Sequence, residues 1–170
     1  MKVLTEAQKK IQSKLIPYWI DLLKKNKVPE SAIPFLISQI ILESNWFTSD
    51  PYLLDNNPGG ITWNPNYKKR PGASIGRKRP PNEGGNYVRF DSYDSAAKDY
   101  VRIVNINGAA GKPIDSTSYQ DYAKRLKVNG YYASKESEYS AGLKAQLKRI
   151  YNWLDIESLI KKKKSKNQME

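Results

Sequence analysis

The chain has 170 residues, with 29 Lys+Arg against 17 Asp+Glu for a net charge of +12, and contains neither histidine nor cysteine. At roughly 150 residues per domain, the length corresponds to one domain. The two missing residue types exclude a disulfide framework, a thiol nucleophile, a Cys/His zinc site and a Ser-His-Asp triad. Any hydrolytic chemistry therefore falls to carboxylates, and no metal or cofactor is expected.

The first element expected is a helix from about Thr5 to Asn26, capped by Thr5. Pro17 should kink or split it. A second helix starts near Glu30; Ile33, Leu36, Ile37, Ile40 and Ile41 fall at i, i+3, i+4, i+7 and i+8, the spacing of one buried face. It ends near Ser44, before a loop containing Asn57-Pro58-Gly59-Gly60. Ile61-Thr62-Trp63 and Tyr87-Val88-Arg89-Phe90 read as short strands. Between them the sequence predicts a long, mobile insertion. Helices resume near Ser92, again over about 118–127, and finally from about Ser137 to Trp153, with Tyr139, Leu143, Leu147, Ile150 and Leu154 as the last stripe. The architecture expected is α+β and mostly helical, with a small inserted β-hairpin lobe over about 59–91. The domain is drawn over 1–155, followed by a basic, flexible tail over 156–170.

Positive charge is concentrated. Tyr67 to Pro80 holds six bases and no acid, and Lys161 to Glu170 holds five lysines and one acid. The bland reading of the tail is a solvated terminus. The functional reading is attraction of loop 67–80 and tail 161–166 to an anionic wall polymer or membrane surface. The bases lie in a loop and a tail rather than along one helix, and no nucleic-acid motif accompanies them, so no specific nucleic acid is expected. No run of 18 apolar residues occurs, so no segment reads as membrane-spanning. The segment from Met1 to Lys10 lacks the apolar core of a secretory signal.

Glu43 stands out because it projects from the apolar face of the second helix and sits in its last turn. The helix dipole and partial burial both disfavour its ionised form, as a general acid working near neutral pH requires. The alternative is a boundary glutamate whose tip reaches solvent. Trp46, Asn56, Asn57, Trp63, Tyr67 and Tyr87 follow, offering the aromatic faces and amides that bind sugars, although core packing uses the same residues.

Ile41-Leu42-Glu43-Ser44-Asn45-Trp46 is similar to the Leu-Glu-Ser-x-Trp motif of the glucosaminidase family of peptidoglycan hydrolases, glycoside hydrolase family 73. Asn56-Asn57-Pro58-Gly59-Gly60-Ile61 resembles its Asn-Asn-x-x-Gly-Ile loop. Val88 to Ser95 resembles its Phe-Arg-x-Tyr-x-Ser segment. Tyr119 to Ala123, Asn129 to Ala133, and Tyr139 resemble its later elements, in order, over about 5–153. The resemblance implies a lysozyme-like fold with the β-lobe roofing an active-site cleft, and hydrolysis of the β-1,4 bond after N-acetylglucosamine. It places Glu43 as the general acid and Glu83 as the second acidic residue, with Asp91 and Asp55 as weaker alternatives. It assigns Tyr131 or Tyr132 to substrate binding or to orienting the acetamido group. Pro58-Gly59 and the Tyr131-Tyr132 doubling depart from the family pattern. A carboxylate separation of about 5–5.5 Å would suit a retaining displacement and about 6.5–9.5 Å an inverting one; a substrate-assisted route is the third option.

The expected partner is the peptidoglycan glycan strand, and the expected place of action is the cell wall or periplasm. A phage-encoded lysin or virion-borne enzyme in contact with virion proteins fits a chain without a signal peptide, as does a bacterial enzyme whose signal lies outside this chain. The other readings are a lytic transglycosylase or muramidase, and a catalytically silent wall-binding or virion protein of the same fold.

Overall fold

In a computed structural model, residues 4–162 are described. Helix α1 (Glu6–Lys25) opens with a reciprocal cap: the Thr5 hydroxyl accepts from the Gln8 amide, and the Gln8 side chain accepts from the Thr5 amide. Pro17 neither ends nor splits it. Ile16, Trp19, Ile20 and Leu23 are fully buried around the proline, and this packing offsets the roughly 3 kcal/mol that an interior proline costs. Helix α2 (Ile33–Glu43) starts later than its periodicity predicts, because 29–33 form a turn first and Pro34 occupies the opening turn of the helix. Six of its aliphatic and aromatic side chains are buried, and it packs between α1 and α6 (Glu136–Tyr151) as the central rod of the core.

The short α3 (Asp50–Asp55) leads into the lobe. Here the structure corrects the expected strand pairing. The basic stretch supplies a strand, β1 (Ala73–Lys78), which pairs antiparallel with β2 (Asn86–Phe90). Ile61-Thr62-Trp63 lies on the other edge of β2 and makes only a single bridge, Thr62 to Tyr87. Charge explains the order. Asp55 is fully buried and binds the hairpin from behind, accepting from Arg89 Nε at 2.9 Å and the Arg77 amide at 3.1 Å, with Arg77 Nε at 3.3 Å. Gly76 lets β1 come this close, since a Cβ there would stand 2.8 Å from Asp55 Oδ2. Arg70 faces Asp99 and Arg79 pairs with Glu83, so half of the basic stretch is tied to carboxylates.

Helices α4 (Tyr93–Val104) and α5 (Tyr119–Val128) are capped by Ser92 and Ser118, and with α6 they complete the helical body. The tail boundary also moves. A last helix, α7 (Ile156–Lys161), buries Ile156 and Ile160, one turn apart on one face, and Lys24 Nζ donates to the Ile160 carbonyl at 2.6 Å. The domain therefore includes residues assigned to the tail, while Lys163, Lys164 and Lys166 lie outside the described residues.

Replacing Asp55 with Ala removes the acceptor that three hairpin groups share. Urea unfolding should show a loss of about 2–3 kcal/mol, the cost of charge-assisted hydrogen bonds lost from a buried site.

Candidate active site

The site is built on the C-terminal end of α2. Glu43 is its last residue, and three successive left-handed residues follow: Asn45, Trp46 and Phe47, with φ of 47°, 60° and 63°. Each costs roughly 1–2 kcal/mol outside glycine. The turn is held by Ser44, whose hydroxyl accepts from the Phe47 amide at 2.9 Å, by the Trp46 amide donating to the Ile41 carbonyl at 2.9 Å, and by burial of Phe47. The Ser-Asn-Trp-Phe sequence thus stops the helix directly after its carboxylate. Trp46 is held in that turn and does not line the cleft. It sits in a separate depression, with the Arg149 guanidinium 5.3 Å from its ring centre.

Glu43 lies at a cleft of about 850 Å³ between the helical body and the hairpin. Gly59, Gly60 and Ile61 form one wall. Tyr131 and Tyr132, which follow α5, form another. Arg79, Glu83 and Tyr87 come from the hairpin and its turn, and Tyr67 and Arg102 close the remaining side. The structure thus brings together Glu43, Glu83, Tyr87, Tyr131 and Tyr132 from the residues the sequence singled out.

Asn56, Asn57 and Trp63 have other duties. Asn57 is buried and fully used: its amide donates to the Ile61 and Val88 carbonyls at 2.8 and 2.9 Å, and its oxygen accepts from the Gly59 and Ile61 amides. Two donors and two acceptor sites exhaust a carboxamide, so nothing remains for a sugar. Asn56 closes α3 in the left-handed conformation and donates to the Phe90 carbonyl. Asn57 thereby pins the Gly59–Ile61 wall to β2, and Asn56 pins the end of α3 to the same strand. Trp63 packs its ring against Tyr67 at 5.8 Å, while its neighbours Thr62 and Asn64 face the cleft. The weaker acidic alternatives are likewise engaged: Asp55 holds the hairpin, and Asp91 accepts from Ser92 and Ser95 at the start of α4.

The glycine pair in this wall has a steric reason. Tyr131 donates to the Gly59 carbonyl at 2.6 Å, and a Cβ on Gly59 would stand 2.7 Å from that hydroxyl. Gly60 has φ of +59° and lies against Glu43 Oε2. The adjacent tyrosines divide their roles. Tyr131 braces the wall, whereas Tyr132 stacks on Tyr139 at 3.8 Å with its hydroxyl on the Ala123 carbonyl.

Burial pushes the Glu43 carboxyl up to about 7, a hydrogen bond from the Tyr139 hydroxyl at 2.7 Å partly opposes this, and the nearby Glu83 charge adds to it. Glu83 is half exposed in the turn between the strands and pairs with Arg79 Nη2 at 2.8 Å. Sequence reasoning counted Tyr139 only as part of a helix stripe and family pattern, and it passed over Gln39, whose amide donates to Tyr139 at 3.1 Å. The available signal was a lone amide one turn before Glu43, next to Ser38 in a helix whose other interior residues are apolar.

A mostly helical body with a hairpin roofing a cleft that two carboxyl groups line is an arrangement that suits a glycoside hydrolase. The profile of the Glucosaminidase family, described as mannosyl-glycoprotein endo-beta-N-acetylglucosaminidase, matches residues 16–152, and the chain belongs to that family. Its fold is similar to that of the catalytic domain of the autolysin Auto from Listeria monocytogenes, with a TM-score of 0.54 and 18% identity, covering 94% of this chain and 89% of that one. No curated protein sequence matches the chain.

Asn57→Ala removes four hydrogen bonds, three to the wall backbone and one to the Val88 carbonyl of β2. Thermal and urea unfolding should report a loss of about 2–4 kcal/mol, with glycan turnover falling as the Gly59–Ile61 wall loosens.

Proposed function

We propose that the chain is an endo-β-N-acetylglucosaminidase of peptidoglycan, cleaving the β-1,4 bond after N-acetylglucosamine with Glu43 as general acid. The observation that carries this reading is the Glu43 carboxyl, half-buried at the cleft between the helical body and the hairpin, where desolvation pushes its pKa up to about 7. Family membership and the likeness to an autolysin catalytic domain support the choice of substrate.

In this reading the Glu43 proton passes to the glycosidic oxygen as the C1–O bond breaks. A water hydroxyl joins C1, and the product ends in reducing N-acetylglucosamine. Glu83, across the cleft on the hairpin turn, supplies the second carboxylate, stabilising the positive charge that develops at C1 or taking the proton from water. Arg79 keeps Glu83 oriented and lies over one face of the Tyr87 ring, and Tyr87, Asn82 and Thr62 line the hairpin side of the cleft where a glycan would lie. The exposed Lys68, Lys69 and Lys78 draw the lobe toward anionic wall polymers. The place of action is then the cell wall.

Purified peptidoglycan digested by the wild type should yield fragments that end, after borohydride reduction, in reduced N-acetylglucosamine, with mass spectrometry as the readout. Glu43→Gln should lower turnover by about 10²-fold or more. Anhydro-muramic ends would identify a lytic transglycosylase instead. Absence of cleavage by the wild type on walls of several chemotypes would leave a binding protein.

Because the acid must be protonated, kcat/KM should fall about tenfold per pH unit above pH 7. Glu83→Gln removes a negative charge that raises that pKa. Its alkaline limb should therefore move to lower pH, alongside a loss of turnover that reflects the missing second carboxylate.

A further inference from the structure

Gln39 is fully buried, one turn before Glu43. A carboxamide donates only from nitrogen and accepts only at oxygen. The Gln39 oxygen takes hydrogen bonds from the Tyr100 and Tyr122 hydroxyls, side chains from α4 and α5 that are themselves fully buried. Its nitrogen is then committed to the Tyr139 oxygen at 3.1 Å. Tyr139 has a single proton, and this goes to Glu43 Oε1 at 2.7 Å. With Oε1 occupied as an acceptor, the oxygen left to carry the carboxyl proton is Oε2, which faces Gly60 on the cleft wall.

We propose that Gln39, acting through Tyr139, is a positioning residue that fixes the Glu43 proton on the cleft-facing oxygen. This rests on the reading of Glu43 as the general acid. The reverse amide orientation would make Tyr139 donate to Gln39 and accept from Glu43, turning the acidic proton away from the substrate. Two hydroxyl groups, each with a proton to donate, meet one Gln39 atom, and an acceptor oxygen there satisfies both. The arrangement uses every polar atom of a side chain that has no route to water.

The two orientations move the pH profile in opposite directions, which makes the proposal testable on the full chain. The titratable groups facing the Glu43 carboxyl are Tyr139 from α6, Tyr122 from α5, Tyr131 after α5, and Glu83 from the hairpin turn. In Tyr139→Phe all the others remain. If Tyr139 donates to Glu43, its loss removes a bond that favours the ionised acid, and the alkaline limb of kcat/KM moves to higher pH. If Tyr139 accepts from Glu43, the limb moves to lower pH.

The experiment measures kcat, KM and the pH profile of Tyr139→Phe, Gln39→Met and Glu43→Gln on one peptidoglycan preparation, with thermal unfolding alongside. The expected result for Tyr139→Phe and Gln39→Met is a fall in kcat of about tenfold or more, KM within about twofold, and a limb displaced upward. A loss of folded protein alone would lower activity without moving the limb. Tyr139→Phe keeps the ring that stacks on Tyr132, so it decides the matter if Gln39→Met does not fold. A folded Tyr139→Phe with an unmoved or downshifted limb, beside an inactive Glu43→Gln, overturns the relay and leaves the acid assignment standing. An active Glu43→Gln overturns both.

Discussion

The organising constraint is a carboxyl buried where its ionised form is disfavoured. Glu43 ends an apolar helix, at the pole where the backbone dipole is negative and the side chain is half-buried at the cleft. A carboxylate in that position costs stability unless it is neutral or well partnered, and the surrounding structure provides for both conditions. The left-handed turn over Asn45–Phe47 stops the helix one residue on, the Gly59–Ile61 wall leaves the second oxygen room at the cleft, and Tyr139 meets the first. Each of these features carries a local cost, in backbone strain or in polar groups taken out of water, and packing of α2 between α1 and α6 absorbs it.

The lobe solves a different problem. A two-stranded hairpin is marginal by itself in water, and this one is dense with positive charge. Asp55, the last residue of α3, and Asn57, two residues on, supply the negative charge and the hydrogen bonds that fasten it. The first holds arginines from both strands, and the second ties the cleft wall to β2. The turn beyond them extends over the cleft carrying Glu83, with Pro80 and Pro81 before it and Gly84 and Gly85 after it, the latter two at positive φ with open space around them. The base is fastened by Asp55 and Asn57, and Arg79 ties the tip through the Glu83 carboxylate and the Gly84 carbonyl.

Much of this was legible beforehand, and the exceptions share a cause. The apolar period over Ile33–Ile41 located the central helix and put Glu43 on its buried side. The family motifs located the hairpin turn and the paired tyrosines. The errors concern which strand pairs with which and which polar side chains are spent. Asn57 and Trp46 are residue types that bind sugars, and nothing local distinguishes an amide facing a cleft from one saturated by backbone 31 residues away. The basic stretch read as mobile because its charge was counted without Asp55, Asp99 and Glu83 beside it.

The sequence by itself determined a histidine- and cysteine-free domain, its central helix, and the carboxyl residue at the end of that helix. These follow from composition and from a 3.6-residue period, both local properties of the chain. The tertiary structure alone decided what surrounds that residue. Tyr139 reaches Glu43 from 96 positions away, and Gln39 draws together hydroxyls from α4, α5 and α6. Periodicity states that a face is buried; only packing states what covers it, and the chemistry of the carboxyl depends on the covering groups.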